Sequence, residues 1–237
     1  MCSISLLLTA TVSPIEGVIS SRPDPLVRER DYATALRFWI RSGLRNIVFC
    51  ENSGWPLDQI RRIGHADGVR VEALGFVDAG ATGSLGKGYG EMGIIEYAIG
   101  QSKSLAASAY ILKVTGRYMV LNIAQMLSDH RLRRHPTVVA DMNRHRRYAD
   151  SRVFLATPAF MTKYLLVRRN QVNDQAGFYF EHALASAINA SENDGHKWLL
   201  PNVLPEIRGI SGSIPGEHRV TLRKRLGFAV KKIYFAR

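Results

Sequence analysis

Residues 46–54 read NIVFCENSG, an apolar run that ends abruptly in four polar or small residues. Such a run is typical of a strand that is buried in a sheet and carries polar groups at its carboxyl end. A second run of this kind, ISLLLTATV, occupies residues 4–12 and stops before Ser13-Pro14. The two runs therefore predict two buried strands.

A helix is predicted between these strands. Residues 31–43, DYATALRFWIRSG, repeat apolar side chains at helical spacing and end in a glycine, which is a common helix stop. The polar residues just before this segment include Pro23 and Pro25. Because proline fixes φ and lacks an N–H donor, we expect irregular structure there.

The alternation of strands and helices continues through the first half of the chain. A strand is predicted at 69–74 (VRVEAL), a helix at 90–101 and a strand at 109–114 (AYILKV). This order predicts an α/β fold with a mixed, mostly parallel sheet flanked by helices. In such sheets ligands bind beyond the carboxyl ends of the strands. Polar residues cluster at three of those predicted ends: Thr9–Pro14, Glu51–Gly54 and Lys113–Arg117.

Composition narrows the class of protein. The chain has 237 residues, 46% of them hydrophobic, and a mean hydropathy of -0.08, which together predict a packed core and exclude a disordered protein. The first residues, MCSISLLLTATVSP, lack the basic segment of a signal peptide, so we expect a cytoplasmic protein. Cys2 and Cys50 are too few for a disulfide framework or a four-ligand zinc site, and Cys50 is predicted to be a small core residue.

The charge is strongly basic and unevenly distributed. The formal net charge is +12, and residues 218–237 contribute seven basic side chains and no acid. Helical spacing in this tail places its apolar residues on one face: Leu222, Leu226, Ala229, Val230 and Ile233. A basic amphipathic helix is typical of a segment that lies on an anionic membrane, and an RNA-binding arm is the alternative. We therefore divide the chain into a domain at 1–216 and a tail at 217–237.

A glycine-rich segment precedes the predicted helix at 90–101. Residues 80–93, GATGSLGKGYGEMG, contain six glycines, with Lys87 and Gly88 in the middle. Glycines permit close approach of a phosphate, and a lysine adds a positive charge, so this segment is a candidate diphosphate site. It matches neither the Walker motif nor the dinucleotide fingerprint. A flexible surface loop is the alternative interpretation.

Two further groups contain residue types that are suited to binding a charged ligand. Lys113 and Arg117 follow a predicted strand and could clamp an oxyanion, or they could form a solvated strand end. The segment 138–154 mixes Asp141 and Asp150 with five basic residues, Arg152 among them, which predicts internal ion pairs or a nucleic-acid patch.

An amphipathic helix is predicted at 177–188, with Glu181 and His182 near its start. A partly buried carboxylate there would have a raised pKa and could act as a general base. The alternative is an ordinary acidic residue of a first helical turn, favoured by the helix dipole. The seven histidines show no H-E-x-x-H spacing.

Together these segments resemble the bacterial sugar-nucleotide-dependent glycosyltransferases of the GT-A fold. The likeness is to the small enzymes of O-antigen, capsule and lipooligosaccharide biosynthesis, and it runs from about Leu7 to Gly216. It rests on the order of several short motifs: LTATVSP, RPDPLVRERDYATAL, IVFCENSG, GKGYGEMGIIEYAI, ILKVTGRY, ADSRVFLATPAF, FEHALASAI and EIRGISGS.

The resemblance implies a role for each candidate residue. Glu181 would be the catalytic base of an inverting transfer, with His182, Asp141 and Arg208 at the acceptor or behind the reacting groups. The donor would be bound by ten residues: Thr9, Ala10, Glu51, Lys87, Gly88, Lys113, Arg117, Asp150, Arg152 and Ser211. Many enzymes of this fold carry a metal-binding Asp-x-Asp where Lys113 to Arg117 falls, and the chain contains no Asp-x-Asp. We therefore expect the two cations to replace the metal, with Asp141 or Asp150 as the alternative metal ligands.

The sequence thus predicts a cytoplasmic, peripheral membrane enzyme. It would transfer a sugar from a nucleotide-sugar to a hydroxyl of a lipid-linked or lipopolysaccharide-type glycan, with no cofactor beyond the donor. The tail would hold it to the anionic inner face of a bacterial membrane, and nucleic acid is not an expected partner. The alternatives are a non-enzymatic RNA-binding protein on an α/β core and a degenerate transferase-like scaffold.

Overall fold

The main sheet has seven strands in the order β3-β2-β1-β4-β7-β6-β8, and a small second sheet pairs β5 with β9. The computed structural model describes residues 3–14, 23–66, 68–78, 85–210 and 221–235. Its strands are β1 Ile4–Ala10, β2 Asn46–Glu51, β3 Val71–Gly75, β4 Tyr110–Thr115, β5 Met119–Val120, β6 Val138–Met142, β7 Ala149–Ala156, β8 Trp198–Leu199 and β9 Ile207–Arg208.

The helices lie between these strands along the chain. The α-helices are α1 Pro25–Arg41, α2 Asp58–Ala66, α3 Lys87–Gln101, α4 Lys103–Ala106, α5 Ile123–Leu127, α6 Pro158–Phe160, α7 Phe180–Asn193 and α8 Leu222–Phe235. A 3₁₀ turn forms at His130–Arg134, and α6 continues into a π-helical turn at Met161–Leu165 and a 3₁₀ turn at Leu166–Gln171.

The predicted α/β architecture is confirmed. Strands β3, β2, β1 and β4 are parallel, and among the described strands of the main sheet β7 alone opposes its neighbours. The apolar run of β1 is continuous because both faces of the sheet are covered. Leu6 and Leu8 pack with α1, whereas Leu7 packs with α3 and α7 on the other face.

The predicted irregular structure at Pro25 is wrong, because α1 begins at this residue. Proline is favoured in the first turn of a helix, where its missing N–H has no intrahelical partner. The Asp24 carboxylate accepts a hydrogen bond from the Leu26 N–H at 2.8 Å and so caps the helix. At the other end Gly43 adopts a left-handed φ of 86°, as expected for a helix stop.

Two other segments differ from the sequence prediction. Helix α3 begins at Lys87, so the second half of the predicted glycine-rich loop forms about its first two turns. The mixed-charge segment 138–154 forms two antiparallel strands, β6 and β7. Its charged residues obscured the strand pattern because only part of each strand is apolar.

The tail forms the predicted amphipathic helix, α8. Phe228 is buried and Phe235 packs edge-to-face on Trp198 with ring centroids 4.8 Å apart. The opposite side remains uncovered, with 73% of Leu222, 61% of Leu226 and 66% of Ile233 exposed. The proposed boundary near residue 216 lies outside the described residues. None of the described helices is long and apolar enough to span a bilayer.

Candidate active site

The carboxyl ends of β1, β2 and β4 meet at one edge of the sheet. The register pairs Thr9 with Thr115 and Ala10 with Glu51. Directly after β4, the Gly116 N–H donates to the Thr9 carbonyl at 2.8 Å. A Cβ on Gly116 would lie 2.7 Å from that carbonyl oxygen, so only glycine permits this close approach. The edge is therefore compact, and it forms the floor of the candidate site.

A buried ion pair lies just inside this edge. The Lys113 side chain is fully buried, and its Nζ donates to Glu91 Oε1 at 2.7 Å and to the Ser151 carbonyl at 2.6 Å. The hydroxyls of Thr9 and Thr115 donate to the same Glu91 oxygen at 2.6 and 2.9 Å. Successive side chains of β4 point to opposite faces of the sheet, and Lys113 points into the protein interior. Its ammonium therefore binds Glu91 and does not line the cleft.

Glu91 was not identified in the sequence, and it faces the cleft. Its Oε1 accepts three hydrogen bonds, whereas no described residue donates to Oε2. Burial would raise the pKa of this carboxyl, but Lys113 and the two threonine hydroxyls outweigh burial and hold the pKa below its usual value. Glu91 is therefore a fixed carboxylate with one free oxygen. The sequence signal was an acid on the face of α3 that also carries Ile94, Ile95 and Ala98.

A cleft of about 450 Å³ opens above this network. We call it the donor cleft, after the donor-binding role that the sequence analysis predicted for five of its residues. Among its lining residues are six that the sequence analysis selected: Lys87, Gly88, Arg117, Asp150, Arg152 and Glu181. The remaining polar and aromatic lining includes Glu91, Thr115, Tyr118, Tyr148, Ser151, Asp174, Tyr179 and Phe180.

Positive charge is concentrated on one part of this site. The pKa of Lys87 is lowered, first by burial and then by the positive charges of Arg117 and Arg28. Burial also lowers the pKa of Arg28, and Arg117 adds to the effect. Arg117 is held by the Tyr32 hydroxyl at 3.2 Å and the Ile210 carbonyl at 3.1 Å. Burial would lower the pKa of Arg117, but Tyr32, Tyr118 and Glu91 outweigh burial and raise it. Positive charge concentrated in this way makes the site favourable for an anion.

Arg28 was missed because it lies in the segment predicted to be irregular. Its Nε donates to the Thr11 carbonyl at 2.8 Å, which ties α1 to the end of β1. No local sequence pattern indicates this contact, since it depends on how α1 packs against the sheet.

The N-terminus of α3 is already faced by a carboxylate of the protein. The Gly88 N–H donates to Asp174 Oδ2 at 3.2 Å. A Cβ on Gly86 would lie 2.4 Å from the same oxygen, and the φ of Gly86 is 96°, so this position requires glycine. The negative charge of Asp174 raises the pKa of Lys87 and partly opposes the neighbouring cations.

Glu181 lies in the first turn of α7 and lines the donor cleft. Burial raises the pKa of its carboxyl, and the negative charges of Glu91 and Asp150 add to this effect. The Ser151 hydroxyl donates to Glu181 Oε1 at 2.7 Å and opposes the shift. Two carboxylates of one cleft, Glu91 and Glu181, thus have pKa values that are moved in opposite directions. Such a separation is typical of acid–base sites.

Asp150 and Arg152 form an ion pair at the side of the cleft. Arg152 Nε donates to Asp150 Oδ1 at 2.8 Å, and its second nitrogen lies 2.5 Å from Oδ2. Burial opposes ionisation of Asp150, but Arg152 outweighs burial and lowers the pKa of the carboxyl. This geometry agrees with the predicted internal ion pairing of the segment 138–154.

The other selected residues lie outside the donor cleft. Glu51 is buried and accepts hydrogen bonds from the backbone N–H groups of Val12, Ser53 and Trp55, so it orders the two loops that follow β1 and β2. His182 accepts a hydrogen bond from the Tyr179 N–H at its Nδ1 and packs against three aromatic rings.

Five selected residues remain. Thr9 and Ala10 are both buried at the end of β1. Asp141 pairs with Lys231 of α8, and Arg208 lies exposed on β9. Ser211 lies outside the described residues. Within the described ranges, no group of three or more His, Cys, Asp or Glu side chains is arranged to hold a metal ion.

Comparison with known proteins adds information on the fold. No family model matches the chain, and no curated protein matches it. A solved structure from Bacillus anthracis, assigned as a glucose-1-phosphate thymidylyltransferase, superimposes with a TM-score of 0.51. It is 7% identical, and the match covers 87% of this chain and 89% of that one.

Two further solved structures match less well. A protein from Desulfovibrio desulfuricans, assigned as a nucleotide-diphospho-sugar transferase, gives a TM-score of 0.47 at 6% identity, over 84% of this chain and 80% of that one. A cytidylyltransferase from Leptospira borgpetersenii gives 0.44 at 11% identity, over 93% and 82% of the two chains. At such low identity, the likeness to the Bacillus protein shows that the α/β fold is shared.

Proposed function

We propose that the protein is a glycosyltransferase that moves a sugar from a nucleotide-sugar to a hydroxyl of a glycan acceptor. The observation that carries this proposal is the composition of the donor cleft. It combines two lining cations, Lys87 and Arg117, with a carboxyl of raised pKa, Glu181, and the charge of Arg28 behind the lining acts on Lys87. The first suits a diphosphate and the second suits a hydroxyl that must lose its proton.

The proposed reaction is a single displacement. The acceptor oxygen attacks C1 of the donor sugar and forms the new glycosidic bond, while the bond from C1 to the diphosphate oxygen breaks. The electron pair of that bond leaves with the nucleoside diphosphate. Glu181 takes the acceptor proton, and the configuration at C1 is inverted. Preorganised positive charge at the leaving diphosphate lowers the barrier because negative charge develops there in the transition state.

The cationic group has the role that the sequence analysis assigned to Lys113 and Arg117, which is to replace a metal ion. Lys87 and Arg28 stand in for Lys113, whose ammonium is engaged with Glu91. Together with Arg117 they supply the charge that a divalent metal would otherwise provide at the leaving diphosphate. The thermal-shift screen is run with and without Mn²⁺ to measure whether a metal adds to this effect.

Glu91 is proposed to bind a hydroxyl of the donor. Its carboxylate is ionised at neutral pH and is held by Lys113 through Oε1, so the free Oε2 accepts a hydrogen bond from the donor ribose or the transferred sugar. The role of Glu51, Thr9 and Ala10 is then indirect, because they fix the strand ends and loops on which the nucleoside rests.

Nucleotidyl transfer is a second candidate, because the Bacillus structure of the same fold is assigned as a thymidylyltransferase. In that reaction a sugar phosphate attacks a nucleoside triphosphate. A phosphate nucleophile is already an anion at neutral pH and needs no base. A carboxyl with a raised pKa, such as Glu181, has a role in the transfer to a hydroxyl and none in nucleotidyl transfer. The site therefore favours glycosyl transfer.

The tail is proposed to hold the enzyme on an anionic membrane, at the inner face of a bacterial cell. Helix α8 exposes Leu222, Leu226, Val230 and Ile233, and basic side chains flank this stripe. Exposed apolar surface beside positive charge favours a layer that is apolar inside and anionic at its surface. An acceptor linked to lipid would then be presented to the enzyme at the membrane.

The experiment is a thermal-shift screen against UDP, GDP, CDP, TDP and their sugars, with and without Mn²⁺, followed by product analysis. A ligand at about 100 times its Kd stabilises the folded state by about 2.7 kcal/mol. We expect one nucleoside diphosphate and its sugar to raise Tm, and turnover to release that nucleoside diphosphate. Release of pyrophosphate from a triphosphate would establish nucleotidyl transfer instead, and no nucleotide effect would overturn both proposals.

A further inference from the structure

A second cleft lies between α8 and the main body of the protein. Its volume is about 280 Å³. One wall comes from β6 and β7 and carries Asp141, Asp150 and Arg152, and the opposite wall comes from α8. We call it the tail-side cleft. It exists only because α8 is folded back against the body, where the Lys231–Asp141 ion pair at 2.5 Å and the Arg225–Glu206 ion pair at 2.9 Å hold it.

The tail-side cleft adjoins the donor cleft. Asp150 and Arg152 line both, so the two spaces meet at this ion pair. Ser151, between them on β7, donates the hydrogen bond that holds Glu181. A ligand in the tail-side cleft therefore lies next to the strand segment that positions the proposed base, Glu181.

The lining suits a sugar that carries one negative charge. Two ion pairs, Asp150 with Arg152 and Asp141 with Lys231, present both acceptors and donors to hydroxyl groups. Leu204, Pro205 and Phe228 add an apolar surface against which the C–H face of a sugar ring can pack. Lys224 of α8 has no carboxylate partner in the described part of the chain, so one positive charge is left over.

We infer that the tail-side cleft binds the acceptor, and that the acceptor end it recognises is a sugar joined through a phosphodiester to a lipid. This inference rests on the proposed glycosyl transfer. The volume of about 280 Å³ lies just below the roughly 300–1,000 Å³ typical of ligand pockets and has room for about one sugar ring. The phosphodiester pairs with Lys224, and the lipid continues toward the exposed apolar stripe of the same helix. Helix α8 thus binds the acceptor with one face and the membrane with the other.

Gly227 offers a selective way to fill this cleft. It lines the cleft, and a Cβ added there would meet no atom within 4 Å. A side chain can therefore start at this position, and Gly227→Trp is chosen to fill the cleft, with Gly227→Ala as the matched control that leaves nearly the wild-type space. The probe is glucose 1-(octyl phosphate), a phosphodiester, with octyl glucoside and octyl phosphate as comparators that lack one half each. Binding to the full chain is titrated by saturation-transfer difference NMR, and nucleoside diphosphate binding is titrated separately by calorimetry.

We expect the wild type and Gly227→Ala to bind the phosphodiester at least fivefold more tightly than either comparator. Gly227→Trp should weaken this binding at least tenfold and leave the nucleotide Kd unchanged. Equal binding of the phosphodiester by Gly227→Trp and the wild type would overturn the inference, as would a wild type that binds nucleotide but not phosphodiester. A wild type that binds no nucleotide would instead refute the proposed function, so the two failures are distinguishable.

Discussion

The donor cleft and helix α8 invert the usual distribution of polar and apolar side chains in opposite ways. At the cleft, Lys113 is fully buried beneath a carboxylate and two hydroxyls, inside a mostly apolar sheet. On α8, leucine and isoleucine side chains are more than half exposed. A buried charge and a large exposed apolar patch are both unfavourable for an isolated folded chain, so each indicates a functional role.

The difference lies in how each feature is compensated. All three N–H donors of the Lys113 ammonium have acceptors within the protein, so this buried charge positions Glu91. A ligand would be bound by the cations that line the cleft. The apolar stripe of α8 has no covering among the described residues, and it needs an external partner. We therefore expect changes in the cleft to affect folding and turnover, and changes on the stripe to affect association with a membrane.

The largest effect on stability is expected from Glu91→Gln. The substitution leaves the Lys113 ammonium buried without a counter-charge, which should lower the free energy of unfolding by about 3–5 kcal/mol. Glu96→Gln, on the same helix, breaks an ion pair with Arg169 whose carboxylate is half-exposed, and should cost less than about 1 kcal/mol. Urea denaturation measures both. Equal losses would show that the buried network has no special role.

Glu181→Gln should reduce kcat by about 10²–10⁴-fold while the nucleotide Kd stays the same, because a general base is removed. In the wild type the protonated form of Glu181 is inactive, so turnover should rise with pH through a pKa above the usual value of about 4.3 for glutamate. Glu192→Gln, later in the same helix, is the control. A variant that keeps full turnover and the same pH profile would remove Glu181 from the mechanism.

The raised pKa of Glu181 also has a consequence for stability. The folded state binds its proton more tightly than the unfolded state does, so stability falls as pH rises from the unfolded pKa through the folded one. Glu181→Gln lacks this loss, and we expect a higher free energy of unfolding than that of the wild type at pH 8. Such a gain in stability with a loss of activity is typical of a functional site.

On α8, the double substitution Leu222→Glu/Leu226→Glu should weaken binding to vesicles of phosphatidylglycerol and phosphatidylcholine by about tenfold or more. Two apolar side chains are lost from the membrane contact and two repulsive charges are added. Turnover of a water-soluble acceptor should not change. Val167→Glu alters an equally exposed apolar residue elsewhere and should leave sedimentation with vesicles intact. If both variants behave alike, the stripe is not the membrane contact.

The smallest effect is expected from Asp174→Asn. The amide removes a negative charge beside Lys87 and retains an oxygen that can accept the hydrogen bond of the Gly88 N–H. A charge near a helix terminus is worth about 0.3–1 kcal/mol, so nucleoside diphosphate should bind about two- to fivefold more tightly. Calorimetry measures this directly, and weaker binding would show that Asp174 orders the site more than it opposes the ligand.

The sequence predicted the frame of the molecule and much of the cleft. Apolar runs with polar ends located β1, β2 and β4. Six selected residues line one cleft, and they were chosen from a strand end, a glycine-rich segment, a mixed-charge segment and a helix start. Glu91 and Arg28 were not identified, because the sequence does not indicate which residue a single side chain on a helix will contact. Lys113 was assigned to the cleft because its position at a strand end was visible, whereas the face of the sheet that it occupies depends on what packs there.

The central claim, that a cationic cleft binds the diphosphate of a nucleotide-sugar, is tested most directly by comparing Lys87→Gln with Arg223→Gln. Each variant removes one positive charge, the first in the donor cleft and the second on the exposed surface of α8. Calorimetric titration with the nucleoside diphosphate that stabilises the wild type should show at least a tenfold weaker Kd for Lys87→Gln and no change for Arg223→Gln. Equal weakening in both variants would mean that nucleotide binding follows the net charge of the chain, and would contradict the account.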